Sequence, residues 1–329
     1  MFVFFVLIIL LTFNSIFSKD SLKIILVNLR QIKPVYFLIG LSMIFVYFLL
    51  QGIYMKSILK ALNKNITLRK GMFYSMIEFF FSGITPSSTG GQPVQLYYMR
   101  KDKIPLRKIY ITLLLNTIFF KLIILILGIL VLIFRSKYVF LSSGIYVFFF
   151  ILGFIVDLFI VIIGFLLLTK PKYIKKIITI FVNKTSNIKL ISRYTKNIEI
   201  NGLIKRYKDE LTFINDNKKL VFYNFVITFM QRLLLFSVAY LIYRSLGFSK
   251  YGYFDLLMIQ VSVQVAIEAL LLPGGAGLSE GMYHNIFVVL FGSGFADTGM
   301  LLTRTFSFYI PLLISGLCIM IYRIVLKKR

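Results

Sequence analysis

The sequence predicts an all-α integral membrane protein, a polytopic helical bundle with two oppositely oriented re-entrant hairpins related as an inverted repeat. Three observations predict it. Of the 329 residues, 59% are hydrophobic and 15% charged, with a mean hydropathy of +0.87. Soluble domains run nearer half apolar and a quarter charged. Apolar stretches long enough to cross a bilayer, about 18 residues or more, recur from end to end. Two shorter apolar segments each run into a Pro/Gly cluster.

In chain order, residues 1–17 are apolar and close on Ser18-Lys19-Asp20. The basic leader and Ala-x-Ala cleavage pattern of a signal peptide are missing, so a first transmembrane helix is the preferred reading over a cleaved one. Further apolar segments cover 35–55, 71–85, 109–134, 145–169, 219–243, 255–272, 282–296 and 298–325. Segment 71–85 runs into Pro86-Ser87-Ser88-Thr89-Gly90-Gly91, and 255–272 runs into Pro273-Gly274-Gly275-Ala276-Gly277. The whole chain, 1–329, reads as one transmembrane domain containing a basic loop at 170–219.

Net charge is +26, from 38 Lys+Arg against 12 Asp+Glu. A soluble basic face for nucleic acid is missing, because the cations lie in short connections between apolar runs. They orient the chain instead, since cytoplasmic loops are rich in Lys and Arg. Loop 170–219 carries thirteen, and Arg323, Lys327, Lys328 and Arg329 lie at the C-terminal end, so both belong inside. An even number of crossings between them requires 255–272 and 282–296 to enter and leave on the outer side. Counting backwards, 71–98 enters and leaves on the inner side. The tally is then 27 basic residues inside, 8 outside and 3 within the membrane. Oppositely entering broken hairpins meeting near the midplane are how many transporters build a substrate site. Within the basic loop, Ile174, Ile177, Ile178, Phe181 and Val182 recur at helical spacing while Lys172, Lys175 and Lys176 fall elsewhere. That suits either a helix on an anionic membrane surface or a solvated basic linker.

Charges inside a membrane are expensive. Glu78, Lys121, Asp157, Arg232, Glu268, Glu280 and Arg304 fall within or beside the apolar segments, with His284 nearby. At about 2.5–3.5 kcal/mol each for lipid-facing placement, all seven together would cost roughly 20 kcal/mol. They are expected to face the bundle interior, a cavity or one another. Gln260, Gln264 and Glu268 stack at intervals of four, and Ser75, Glu78 and Ser82 share a helical face. Asp157 has no polar neighbour at helical spacing and reads as an ion-pair partner. Arginine forks suit phosphate oxygens. Backbone N–H groups at the Pro/Gly breaks suit anions. Buried glutamates suit an ammonium group or a coupling proton. A phospholipid headgroup carrying phosphate and amine would satisfy this set.

The run Thr85-Pro86-Ser87-Ser88-Thr89-Gly90-Gly91-Gln92-Pro93-Val94-Gln95, followed by Leu272-Pro273-Gly274-Gly275-Ala276-Gly277-Leu278-Ser279-Glu280-Gly281, resembles the lysylphosphatidylglycerol synthase transmembrane family. This family, also called the flippase-like domain, forms the N-terminal membrane part of the multiple peptide resistance factor. The resemblance covers essentially the whole chain. It implies movement of aminoacylated phosphatidylglycerol, or a related lipid, between leaflets. In full-length members a soluble domain transfers lysine from lysyl-tRNA to phosphatidylglycerol. No such catalytic domain is expected in these 329 residues, and no transferase activity with it.

Residues expected to bind the lipid are Glu78, Pro86, Gly90, Gly91, Gln92, Lys121, Arg232, Gln264, Glu268, Pro273, Gly274, Gly275, Glu280 and Arg304. No cofactor is expected. One histidine and the single Cys318 offer no metal-ligand spacing and no internal disulfide. Gly275-x-Gly277 with Gly281 lacks the strand and the spacing of a dinucleotide fingerprint. Ser87, Ser88 and Ser279 have no adjacent base. Three other readings stay open: a membrane component of lysyl-phosphatidylglycerol synthesis working with a separate aminoacyl-lipid synthase, a secondary transporter of a small solute, and a structural membrane partner. The sequence is compatible with a homo-oligomer. Its expected place is the cell membrane, multi-pass, with the C-terminus in the cytoplasm.

Overall fold

The computed structural model describes residues 33–85, 89–134, 144–169, 216–269 and 286–327, together with Val27 and Thr212. The first predicted helix, the surface-helix reading of loop 170–219, His284 and the turn at Pro273–Gly277 lie outside the described residues. The elements are α1 (Pro34–Ala61), α2 (Leu68–Ile84), α3 (Gly91–Lys101), α4 (Leu106–Phe134) and α5 (Gly144–Thr169). There follow α6 (Lys218–Phe236), α7 (Val238–Ser245), α8 (Tyr253–Glu268), α9 (Ala296–Arg304), a π-turn (Thr305–Tyr309) and α10 (Ile310–Lys327). A short helical stretch covers 286–291. Among the described residues every regular element is helical.

Among the described residues, five helical stretches are long and apolar enough to cross a membrane: Pro34–Ala61, Leu106–Phe134, Gly144–Leu168, Lys218–Ser245 and Ala296–Tyr322. They coincide with the predicted spans at 35–55, 109–134, 145–169, 219–243 and 298–325. At 25 to 29 residues each they rise about 40 Å, more than the roughly 30 Å of a hydrocarbon core. The α2 and α8 helices, with 17 and 16 residues, reach only about 25 Å.

Two of the spans, those that carry Arg232 and Arg304, are less regular than the apolar runs suggest. Span 219–243 changes helix at Ser237, whose hydroxyl bonds back to the Leu233 carbonyl at 2.7 Å, a contact that bends helices. Span 298–325 widens into the π-turn immediately after Arg304. Pro311 lies just beyond it; lacking an N–H, it cannot bond the Ser307 carbonyl, and its ring crowds that turn.

Side-chain contacts fix which helix ends lie together. Helix α1 ends on Asn63 at φ 55°, and α3 on Lys103 at φ 57°. In each, the following N–H reaches back to close the end, Lys64 to the Leu59 carbonyl and Ile104 to the Met99 carbonyl. The Lys108 ammonium donates to the Leu62 and Asn63 carbonyls, placing a cation at the negative end of α1. At this same end Lys70 pairs with Asp102 at 3.0 Å and the Tyr74 hydroxyl donates to Asp102 at 2.5 Å. Helices α2 and α3 therefore fold back on each other, with their outer ends adjacent. The crossing is tight at Gly91: an added Cβ would lie 2.0 Å from Ser82 Oγ and 2.6 Å from the Glu78 carbonyl. Contacts between Ser57 and Asn224, and between Phe73 and Tyr322, bring the start of α6 and the end of α10 to this end too.

Another pair of helix ends meets elsewhere in the bundle. Tyr251 N donates to Tyr243 Oη at 3.1 Å, and Phe248 stacks edge-on with Phe291 and Phe295. The start of α8 and the end of 286–291 thus lie together at the end opposite Asn63 and Lys103. One large apolar core holds α8 and 286–291 against α4, α5 and α7; another holds α1, α2 and α3 against α4.

Candidate functional site

Helices α4, α5 and α8 meet around one lysine. Lys121, near the middle of α4, donates to Asp157 Oδ1 at 2.6 Å and to Glu268 Oε2 at 2.5 Å. Gln264, one turn before Glu268, donates to its other oxygen, Oε1, at 2.8 Å. Asp157 is fully buried although α5 exposes Ile151, Ile155, Leu158, Phe159 and Ile162 on its other side. A single inward acid on an otherwise lipid-facing helix is held there by the ammonium that meets it. Glycine lets the helices close: a Cβ on Gly153 would lie 1.8 Å from the Val265 carbonyl oxygen, and one on Gly164 2.5 Å from Ile118. Small residues serve this purpose in membrane bundles.

A second charged group lies on the other side of α4. The Arg232 guanidinium sits 3.9 Å from the Phe120 ring centroid and 5.9 Å from that of Tyr47, a cation–π arrangement. It also interacts electrostatically with Glu78 of α2 and with Tyr47. Its Nε is buried with no hydrogen-bond partner among the described residues. Phe120 adjoins Lys121 in sequence, so Arg232 lies between Glu78 of α2 and the Lys121–Glu268 pair of α4 and α8. Arg304, buried, lies over Phe308 at 4.7 Å, and Phe308 packs on Phe79 beside Glu78.

From this depth a polar seam runs toward the end marked by Asn63 and Lys103. Tyr47, Gln51, Tyr54 and Ser57 share one face of α1. Gln231 donates to the Tyr47 carbonyl, Gln51 to Asn116 Oδ1 at 2.9 Å, Tyr54 to the Thr112 carbonyl, and Asn224 to Ser57. Buried acceptors remain unpartnered along it among the described residues: Gln51 Oε1, Gln231 Oε1 and Asn224 Oδ1. Gln95 of α3 is fully buried, with neither amide atom bonded among the described residues. An apolar crevice lined by Met43, Tyr47, Phe79, Leu235, Phe306 and Pro311 opens beside Arg232.

Of the residues expected to bind lipid, Lys121, Gln264 and Glu268 are in direct contact, and Glu78, Arg232 and Arg304 surround the neighbouring aromatic cluster. Gly90 and Gly91 open α3; the Gly90 N–H donates to Thr85 Oγ1 at 2.8 Å. Gln92 is exposed and bonds Thr117 on α4 at 2.6 Å. Pro86, Pro273, Gly274, Gly275 and Glu280 lie outside the described residues. Asp157 is the member that sequence reasoning left out of the site while expecting its ion pair. Its partners come from other helices, so spacing on α5 gives no hint of them. Gly153, one turn away, is the signal that could have found it.

Charges collected at mid-depth within long apolar helices define a multi-pass membrane protein of the all-α class. The chain belongs to the lysylphosphatidylglycerol synthase TM region family, whose family model matches residues 1–315. No curated protein and no solved structure matches it.

Proposed function

We propose that the protein is a lipid translocase that moves aminoacylated phosphatidylglycerol, or a related phospholipid, between leaflets. The observation that carries this reading is that Arg232 interacts with Glu78 and lies over the Phe120 ring, next in sequence to the Lys121 that holds Glu268. Family membership supports it. In this reading, the α2–α3 hairpin and the α8 hairpin re-enter the bilayer from opposite faces, and the basic end with the C-terminus faces the cytoplasm. The headgroup follows the polar seam of α1, its phosphate meeting Arg232 and its amine the acids. Acyl chains stay in the bilayer.

Two experiments test the reading. In liposomes holding fluorescent lysyl-phosphatidylglycerol, Arg232→Gln should reduce leaflet exchange to the protein-free rate while the protein still inserts and purifies; unchanged exchange would refute the assignment. For the topology, single cysteines are placed in a Cys318→Ser background at the exposed positions Asn65, Lys103 and Lys250. A membrane-impermeant maleimide should label the first two only from the cytoplasmic side and the third only from outside. Opposite-side labelling of Asn65 and Lys103 would make α2–α3 a crossing.

A further inference from the structure

Asp157 differs from the other acids of the site in one respect. Its Oδ1 accepts from Lys121, but Oδ2 is buried with no hydrogen-bond partner among the described residues. Glu268 has both oxygens engaged, by Lys121 and by Gln264. Among the described residues, the charged groups facing Asp157 are Lys121 from α4 and Glu268 from α8; α5 contributes no other. Arg232, on α6, is directed at Phe120, Tyr47 and Glu78. Two carboxylates against one ammonium leave this buried cluster with one excess negative charge. In a low-dielectric interior the ordinary relief is to take up a proton. The vacant oxygen identifies where it goes.

We propose that Asp157 is a single-proton site, with the proton carried on Oδ2, and that filling and emptying it couples a proton gradient to movement of α8. With Asp157 neutral, the Lys121 ammonium is balanced by Glu268 alone, and α4 holds α8 firmly. When the proton leaves, Asp157 competes with Glu268 for the same ammonium. The tie from α4 to α5 then strengthens at the expense of the tie to α8. Helices α4 and α5 are long enough to cross the membrane, whereas α8 has 16 residues, so α8 is the element that shifts. One O–H bond forms on loading and breaks on release; Lys121 keeps its protons throughout. The site stands on this geometry, while its use as a driving force rests on the translocase reading.

The test uses the full-length protein in two arms. Infrared difference spectra across a pH titration should show a protonated-carboxyl band that Asp157→Asn removes and Asp157→Glu retains. No such band, or one that survives in Asp157→Asn, overturns the site whatever the protein carries. In phosphatidylglycerol vesicles doped with fluorescent lysyl-phosphatidylglycerol, a difference of one pH unit should skew the steady-state leaflet distribution about tenfold for one proton per lipid. Asp157→Asn should leave the distribution even. A distribution indifferent to pH overturns the coupling, and a bias that follows sodium at fixed pH replaces the proton with that ion. Absence of lipid movement with the band intact overturns the translocase reading, and the coupling with it, but leaves the proton site standing.

Discussion

Lys121→Met should destabilise the protein by about 3–5 kcal/mol, the cost of removing one partner from a buried ion pair. The lysine is the salt-bridge partner of both Asp157 and Glu268. Without it, Asp157 loses the hydrogen bond that it has and stays fully buried. Glu268 keeps Gln264, so the heavier penalty falls on Asp157. Asp157→Asn should be much milder, because it removes a charge and leaves Lys121 paired with Glu268. The triple change Lys121→Met, Asp157→Asn, Glu268→Gln should regain most of the lost stability, since uncharged groups of similar size can replace a buried ion pair at little cost. It should not regain transport. Cys318, half-buried and the single cysteine, reports unfolding through the rate at which a thiol dye reacts on heating. Equal melting of Lys121→Met and the unaltered protein would show that the cluster bears no buried charge.

Much of the fold is legible in the sequence, because lipid imposes simple demands. A span must be long and apolar, and each of the five long helices shows that pattern. Interrupted segments are shorter, and Pro/Gly clusters announce them, as Thr85–Gly91 does before α3. The Glu268–Gln264 contact follows from spacing on one helix. What stays hidden is contact between helices. Asp157 meets Lys121 and Glu268 through the packing of three helices that no local pattern records. The same holds for Arg232, whose aromatic neighbours Phe120 and Tyr47 belong to two other helices. The bend at Ser237 and the π-turn after Arg304 lie within uniformly apolar runs, where hydropathy is blind to hydrogen-bond register.

Gly153→Ala is expected to be the most damaging single-methyl addition in the bundle. Its Cβ would sit 1.8 Å from the Val265 carbonyl oxygen and 2.9 Å from the carbonyl carbon, both backbone atoms of α8. Trimming a neighbouring side chain cannot relieve that contact, so α5 and α8 must move apart. Overpacking a tight core costs about 1–3 kcal/mol, and a clash with backbone belongs at the upper end. The damage also reaches the charged cluster. Asp157 lies one turn beyond Gly153 on α5, and Glu268 one turn beyond Val265 on α8, so parting the helices there stretches the two bonds that converge on Lys121. Gly153→Ala should therefore lower the melting temperature and slow lipid exchange together. Gly144→Ala, on the same helix with nothing within 4 Å of the added atom, should stay within about 0.5 kcal/mol of the unaltered protein. If the two variants melt alike, α5 and α8 are not in backbone contact. Asp157 would then have no fixed position from which to compete for the lysine.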